Sequence, residues 1–423
     1  MKNRIIIIGG GASGLVAAIS AARQNNIVTI LEHKDRAGKK LLSTGNGKCN
    51  LTNSNQKTKY YHCEDKNFIK EIFSQFDYKD TMDFFDGLGV YLRDKNGYIY
   101  PYSNQASSIL EVLLLECKKL RVEIICNCKV DDVEPINGGK NGFTVLASSK
   151  KYACDKLILA AGSKAAPHTG SDGSGYKLLA KLSHHIIQPL PALTALRCSD
   201  EFCRLLSGIR TDGRISLYIN GQSVSIEQGE IQLTDYGISG IPVFQVSRYA
   251  SKALKDKMQV NAFIDFLPNM TFEDALVMFK NKVRACPEKT VAEQLIGVLN
   301  NKLSIVIIKE AKLSPKQPSK TLSEKEWNRF VKLIKNFRFS VASTNSYEQA
   351  QICCGGVDID EVYASTLMSR LIDNLYLAGE ILDVDGICGG YNLQWAWSTG
   401  YIAGYHAGNG ADNDTYQSNK AKS

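Results

Sequence analysis

The chain has 423 residues, of which 44% are hydrophobic and 22% charged, so it is long enough for two or three globular domains. Its net charge of +8 is spread along the sequence, which suits an anionic cofactor or an anionic substrate and is only weak evidence for a nucleic acid as partner. Twelve cysteines in a long chain without a recognisable secretion signal indicate the reducing cytoplasm. The apolar run at residues 5–22 contains four glycines, which argues against a membrane segment.

Residues 5–32 predict the first strand, helix and second strand of a dinucleotide-binding fold. Four isoleucines run into a GxGxxG turn. Its first glycine permits a tight turn, its second lets a pyrophosphate approach the backbone, and its third lets the helix pack on the strand. The N–H groups at the start of the helix favour phosphates, and an acid eighteen residues past the turn suits the adenosine ribose. The residues given these roles are Gly9, Gly11, Ala12, Ser13, Gly14 and Glu32.

A basic, glycine-rich loop follows at residues 33–53. Thr44 stands five residues before Cys49, so there is no CxxxxC pair and a dithiol mechanism is not expected. The lysines and the turn at residues 45–47 can instead wrap a pyrophosphate and the edge of a flavin ring. A mobile, solvated loop is the alternative. The lysines concerned are Lys39, Lys40 and Lys48.

The middle of the chain predicts alternating helices and strands, and then an insertion. The elements expected are a helix over 68–87, a hairpin over 90–102, a helix over 107–119, a strand over 122–130, a β-meander over 129–152, a strand over 156–162 and a helix over 176–182. The strand at 156–162 ends in Ala160, Ala161 and Gly162, whose small size lets a cofactor lie close to the backbone.

The last motif is a buried strand, an acid-rich loop and a Gly-Gly turn that opens a helix, at residues 375–397. Carboxylates at Glu380, Asp383 or Asp385 can accept hydrogen bonds from ribityl hydroxyls. The N–H groups of the helix near Gly390 can point at the flavin C2 carbonyl.

Two further patterns indicate packing. The tryptophans at 395 and 397 have helical spacing, which favours core packing over cofactor contact. The cysteine pairs at 126 and 128, and at 353 and 354, lack zinc-ligand spacing, so buried or strand positions are expected and no metal site is predicted.

Taken together, the motifs resemble the BaiN-like (YhiN-like) family of NAD(P)/FAD-dependent oxidoreductases, whose relatives include aminoacetone oxidase. The likeness spans nearly the whole chain and rests on GGGASGL at 9–15, GKKLLSTGNGKCNLTN at 38–53, AAGSKAAPHTGSDGSGY at 161–176, LTDYGISGIP at 233–242 and LAGEILDVDGICGGYNLQWAWSTG at 377–400. It implies an α/β fold: a Rossmann-type, glutathione-reductase-like FAD-binding domain in two segments, with an inserted β-barrel-like domain and a small helical subdomain.

The resemblance also implies non-covalent FAD. The implied cofactor-binding residues are Gly9, Gly11, Ala12, Ser13, Gly14, Glu32, His33, Lys39, Lys40, Leu42, Ser43, Gly45, Gly47, Cys49, Asn50, Val130, Ala160, Ala161, Gly162, Gly379, Glu380, Asp385, Gly390, Tyr391, Asn392 and Leu393. Two positions depart from the family pattern. Lys48 replaces a usual arginine, which weakens a bidentate role, and Cys388 replaces a common threonine.

Four regions are expected from these patterns. They are a discontinuous FAD-binding domain at 1–190 and 355–410, a β-rich insertion at 191–270 and 337–354, a helical subdomain at 271–336, and a disordered tail at 411–423.

The leading functional hypothesis is a flavoenzyme that transfers a hydride between a small organic substrate and the flavin. No second strand-GxGxxG-helix unit is found, so NADH or NADPH docks transiently or dioxygen is the second redox partner. Lys40, Tyr391 and Cys388 are the candidate catalytic residues, with Lys39 and Tyr236 as further candidates, although phosphate pairing or packing explains each equally well. An RNA-modifying flavoprotein and a non-catalytic flavin sensor are the alternatives, and the oligomeric state is left open.

Overall fold

The structure, a computed structural model, describes residues 2–409. Its strands are β1 Arg4–Ile8, β2 Ile27–Leu31, β3 Thr52–Asn53, β4 Tyr61–His62, β5 Leu92–Lys95, β6 Tyr98–Pro101, β7 Glu123–Ile125, β8 Val130–Pro135, β9 Phe143–Ala147, β10 Lys150–Cys154, β11 Lys156–Leu159, β12 Ile186–Ala192, β13 Leu196–Cys198, β14 Arg210–Ile219, β15 Gln222–Thr234, β16 Gly237–Ser239, β17 Val260–Asp265, β18 Phe337–Thr344, β19 Ile352–Val357, β20 Leu375–Leu377 and β21 Asp385–Gly386. Its helices are α1 Ala12–Arg23, α2 Lys39–Ser43, α3 Lys66–Gln75, α4 Tyr78–Asp86, α5 Ala106–Lys119, α6 Ser174–Lys181, α7 Cys203–Leu206, α8 Ile241–Lys255, α9 Phe272–Ala285, α10 Val291–Gln294, α11 Asn301–Glu310, α12 Glu324–Lys335 and α13 Tyr391–Asn409.

The chain divides into two compact units. One comprises the residues up to 189 and those from 352 onward, and the other is Leu190–Gln351. The predicted α/β fold class is confirmed, because the first unit contains a Rossmann-type parallel sheet and the second a closed barrel. The disordered tail predicted at 411–423 lies outside the described residues. Within the part of the chain that the structure describes, no helix is long and apolar enough to cross a bilayer.

The parallel sheet of the first unit has the strand order β20-β11-β1-β2-β7. The four neighbouring pairs are all parallel. Ile5, Ile6, Ile7 and Ile8 are at most 6% exposed, as expected for a strand covered on both faces. Since the strands run the same way, the ends of β1, β2, β11 and β20 meet at one edge, where the predicted cofactor motifs begin.

Helix α13 packs directly on α1 through glycines. A Cβ on Gly400 would lie 2.4 Å from the carbonyl oxygen of Ser13, and one on Gly404 would lie 2.2 Å from that of Ala17. Only hydrogen fits at these contacts, so the two backbones approach more closely than larger residues allow. The motif at residues 375–397, which leads into α13, is thereby held against the glycine turn that begins α1.

The strand predicted over 122–130 is wrong as a single element. β7 ends at Ile125, and Asn127 adopts a left-handed φ of 53°, so β8 begins only at Val130. Cys128 is buried in this connection and Cys126 is half-buried, so neither lies in a strand. Cys353 and Cys354 are buried in β19, as expected.

The second unit is a closed barrel with the strand order β13-β16-β15-β14-β17-β18. Helix α8 packs on the barrel by burying Val243, Val246 and Ala250 at helical spacing. Helices α9 to α12 belong to the same unit. Capping boxes at Thr271 and Ser323 begin α9 and α12, because each side chain accepts the N3 backbone N–H.

Candidate cofactor and active site

The turn between β1 and α1 has the geometry that its three glycines predict. Gly9 has a φ of +103°, and a Cβ there would lie 2.5 Å from the Ala160 carbonyl oxygen. A Cβ on Gly14 would lie 1.9 Å from the Gly9 oxygen, so helix and strand are in contact. Among the described residues, by contrast, no heavy atom lies within 4 Å of a Cβ placed on Gly11. The first and third glycines are needed for packing, and the second faces open space.

The N-terminus of α1 is available to an anion. Gly11 is its N-cap, and within residues 2–409 no side chain caps it and its first turn carries no acid. The N–H groups of Ala12 and Ser13 therefore lie at the positive end of a helix dipole that no acidic side chain in the first turn offsets. Glu32 is 7% exposed beside this turn and accepts the Gly10 N–H at 2.8 Å and the Lys34 N–H at 2.8 Å. These bonds orient the carboxylate and leave lone pairs for hydroxyl donors.

The loop after β2 is a folded structure, and its two adjacent lysines have different partners. Gly38 has a φ of +75° and begins α2. Lys39 pairs with exposed Asp35 at 2.5 Å, whereas Lys40 pairs with Glu380 at 2.6 Å, 340 residues away. The structure therefore brings Lys40, but not Lys39, to the last motif.

Beyond α2, the loop turns back into the core. The turn glycines Gly45 and Gly47 have φ values of +56° and +80°. Cys49 is fully buried, and desolvation raises its pKa to about 12, so its thiol is not a nucleophile. Asn50 is 8% exposed, and its Oδ1 finds no hydrogen-bond partner among the described residues. A buried unpaired amide oxygen is costly, which is the signature of a missing donor such as a ligand N–H.

Lys40 and Ser163 converge on Glu380, and Cys353 lies beside Ser163. Glu380 Oε2 accepts hydrogen bonds from Lys40 Nζ at 2.6 Å and from Ser163 Oγ at 3.1 Å. The Cys353 thiol contacts the Ser163 side chain and the Lys164 backbone, and burial raises its pKa. The side chains of Lys40 and Glu380 are 24% and 20% exposed, so the ion pair is largely shielded and yet reachable. This cluster joins four distant chain segments.

The turn before α13 lies against β3. Gly390 has a φ of +93°, and a Cβ there would lie 2.7 Å from the Thr52 oxygen and 3.0 Å from Asn50 Oδ1. Tyr391 is 5% exposed and donates its hydroxyl to the Asn55 carbonyl at 3.2 Å, and burial raises its pKa. Its phenol is therefore engaged with the backbone. Cys388 is half-buried just before this turn.

The other predicted residues lie around the same motifs. His33 Nδ1 is 3.7 Å from Glu32 Oε1, and Asn392 Oδ1 accepts the Gly386 N–H at 2.8 Å. Asp385 is 3% exposed in β21, which pairs with β4. Leu42 and Ser43 lie in α2, Val130 begins β8, residues 160–162 follow β11, Gly379 follows β20, and Leu393 lies in the first turn of α13.

The tryptophans at 395 and 397 are core residues, as predicted. Each is 1% exposed. Their ring nitrogens donate to the carbonyl oxygens of Gly379 at 3.1 Å and Leu51 at 2.9 Å, which pins α13 to the strand end and the loop.

The residues present fit a dinucleotide cofactor of the FAD type. The open space at Gly11 and the uncapped helix suit a pyrophosphate, Glu32 suits a ribose, and the unpaired Asn50 oxygen suits a ring N–H. The sequence reasoning missed Ser163 and Cys353. Ser163 directly follows the strand-end motif, which is a usable signal, whereas nothing local marks Cys353.

Comparisons with known proteins cover almost the whole chain. The family model described as "HI0933-like protein Rossmann domain" matches residues 3–406. A 3-dehydro-bile acid delta(4,6)-reductase of Clostridium scindens is 42% identical over 404 residues, which are 95% of this chain and 98% of that protein. A ribosomal RNA dihydrouridine synthase of Haemophilus influenzae is 30% identical over 400 residues, 94% and 96% of the two chains. The solved 3-ketosteroid-delta4-(5alpha)-dehydrogenase from Rhodococcus jostii RHA1 is 15% identical with a TM-score of 0.48, covering 97% of each chain.

Proposed function

This chain belongs to the HI0933-like Rossmann family, as its motifs predicted, and we propose that it saturates a carbon–carbon double bond conjugated with a carbonyl group. It is an FAD-dependent oxidoreductase that binds its cofactor without a covalent bond. We further propose a small alicyclic enone as substrate and NADH or NADPH as the electron donor.

The shared chemistry of two relatives supports this reaction. One is named as a reductase of 3-dehydro-bile acids at delta(4,6), and the other as a synthase of dihydrouridine. A 3-oxo steroid with such double bonds and the uracil ring both contain a carbon–carbon double bond conjugated with a carbonyl. The common step is therefore addition of a hydride and a proton across that bond. The 42% identity favours the small-molecule substrate over the nucleic acid.

The single observation that carries the proposal is the Lys40–Glu380 ion pair at 2.6 Å. FAD, when bound, supplies hydride transfer between a nicotinamide and a substrate carbon. The chain itself must supply a proton and an orienting surface. Lys40 Nζ is the proton donor we assign, with Glu380 and Ser163 as positioning residues that fix the ammonium group. A cation held here also stabilises negative charge that develops on the substrate carbonyl oxygen.

The other two catalytic candidates are given smaller roles. Tyr391 donates its hydroxyl to a backbone carbonyl and has a raised pKa, so it serves better as a packing residue than as an acid. We assign Cys388 to substrate preference, because it stands at the turn where the family commonly has threonine. We also propose that the residues named from the sequence bind the cofactor, that the chain comprises the four predicted regions, and that the protein is cytoplasmic.

Mass spectrometry of the product tests the reaction. Purified protein is mixed with FAD, NADH or NADPH, and a panel of 3-oxo steroids that differ in the position of ring double bonds. We expect conjugated substrates to gain two hydrogens and isolated alkenes to remain unchanged. Saturation of isolated alkenes, or no product from any conjugated carbonyl compound in protein that holds FAD, would contradict the proposal.

A further inference from the structure

The turn between β15 and β16 belongs to a motif, residues 233–242, that the proposed function does not use. Tyr236 lies in this turn and was a candidate from the sequence. In the structure, the Arg197 guanidinium lies over its ring, with the guanidinium carbon 4.7 Å from the ring centre. Arg197 belongs to β13, which pairs with β16, so both residues are part of the second unit.

A buried asparagine holds these two side chains. Asn345 follows β18 and is 5% exposed. Its Oδ1 accepts a hydrogen bond from Arg197 Nη1 at 3.3 Å, and its Nδ2 donates to the Tyr236 hydroxyl at 3.3 Å. Its backbone N–H donates to the Ala195 carbonyl oxygen at 2.9 Å, which fixes the asparagine beside β13. Asn345 is therefore a positioning residue for the arginine and the tyrosine.

The strands on both sides of Arg197 are adapted to its side chain. The register between β13 and β18 shifts between Arg197 and Cys198, and bulges of this kind turn a side chain in a new direction beside a binding site. On the other side, Arg197 pairs with Gly237. A Cβ on this glycine would lie 2.2 Å from the Leu196 oxygen, so the position next to Arg197 carries no side chain.

The arginine and the tyrosine keep unused hydrogen-bond donors. Arg197 is exposed, and its guanidinium makes a single hydrogen bond within residues 2–409 and no ion pair there. The Tyr236 hydroxyl accepts a hydrogen bond from Asn345 and donates to no group in the described part of the chain. A guanidinium presents a planar fork of N–H donors, and a phenol adds one O–H donor. Donors of both kinds are therefore open to a ligand.

The chemistry of these donors selects a carboxylate. A planar guanidinium matches the two oxygens of a carboxylate, and its stacking on an aromatic ring holds the plane of the fork. Arg197 is the one cation of the three residues, which suits a ligand group with a single negative charge. We propose that Arg197 and Tyr236 bind the carboxylate of a small organic acid, and that Asn345 holds both donors in place.

Isothermal titration calorimetry of the protein with FAD bound tests this inference. Without NADH or NADPH, the protein is titrated with a conjugated 3-oxo steroid that carries a side-chain carboxylate, and with the methyl ester of the same compound; the choice of a steroid rests on the proposed function. We expect saturable binding of the acid and roughly tenfold or more weaker binding of the ester. Arg197→Gln should bind the acid roughly tenfold more weakly and no longer distinguish acid from ester. Tyr236→Phe, which loses only the hydroxyl, should bind it roughly threefold more weakly.

The matched control is Arg338→Gln. Arg338 is a second exposed arginine of the barrel, its Nη2 donates to Ser340 Oγ at 2.9 Å, and among the described residues it also forms no ion pair. Its loss should leave acid binding unchanged, and circular dichroism confirms that each variant is folded. Equal affinity of the wild type for acid and ester, equal loss in the Arg338 variant, or wild-type affinity in Arg197→Gln overturns the proposal.

The binding site and the reaction fail separately. Reduction of neutral 3-oxo enones by a protein that binds acid and ester equally, or that binds neither saturably, would overturn the carboxylate site and leave the reaction standing. Selective binding of the acid by a protein that reduces no enone would support the carboxylate site and overturn the proposed reaction.

Discussion

Replacing Gly11 by alanine separates cofactor binding from folding. Gly11 has a φ of −80°, which any residue adopts, and a Cβ there meets no described atom within 4 Å. The apo protein should therefore lose less than about 1 kcal/mol, the scale of an N-cap change. The methyl group would occupy the space assigned to the pyrophosphate and remove one or two charge-assisted hydrogen bonds, each worth about 1.5–3 kcal/mol. FAD should bind roughly a hundredfold more weakly.

Gly14→Ala is the matched comparison, because its Cβ would lie 1.9 Å from the Gly9 oxygen. This overlap is inside the fold, so the apo protein itself should lose about 3 kcal/mol or more. Urea unfolding measures the stability of the apo protein, and quenching of FAD fluorescence measures the affinity for FAD. Wild-type FAD affinity in the Gly11 variant, or equal destabilisation of the apo protein by both substitutions, would contradict a pyrophosphate site at Gly11.

Three further substitutions test the proton donor, a buried histidine and the packing of α13 on α1. Lys40→Met should lower turnover with an enone roughly a hundredfold while FAD remains bound. The control, Lys181→Met, breaks the exposed ion pair with Asp132 and should leave turnover unchanged. Unchanged turnover in Lys40→Met would contradict the proton-donor role. Burial lowers the pKa of His406 from 6.5 to about 4. Between these pH values the folded chain binds fewer protons than the unfolded chain. The free energy of unfolding therefore falls by roughly 1–3 kcal/mol as the pH drops through this range. Urea titrations of His406→Gln should show a flatter pH dependence, and an unaltered slope speaks against this assignment. Gly404→Ala places a Cβ 2.2 Å from the Ala17 oxygen, so its midpoint of urea unfolding should drop, and an unchanged midpoint means that α13 and α1 are not so closely packed.

Most elements of the fold could be predicted from short sequence patterns. The glycine turn, Glu32 and the strand end at Ala160 each depend on a few consecutive residues, so their places in the fold could be predicted from the sequence. The break at Asn127 could not, because a left-handed asparagine inside an apolar run leaves no periodic signal. In the second unit, the periodicity predicted a β-rich part and a helical part, whereas the barrel was implied by the family resemblance.

Side-chain pairing across the chain was the part that could not be predicted. Lys39 and Lys40 are identical neighbours, and only the folded backbone shows that Lys40 reaches Glu380 while Lys39 pairs with Asp35. Ser163 joins the same carboxylate from a third segment. The residue pairs of the β5–β6 hairpin likewise depend on strand register, which the sequence did not specify at the level of individual residues.

Anaerobic stopped-flow spectroscopy separates reduction of the flavin by a nicotinamide from reduction of the enone by the flavin. Protein that holds FAD is first mixed with NADH or NADPH, and the flavin absorbance band is followed until it is bleached; a conjugated enone is then added. The band should return in step with loss of the enone absorbance, and Lys40→Met should slow this second phase. A band that bleaches and returns only when dioxygen is admitted would contradict the claim that this chain reduces conjugated double bonds.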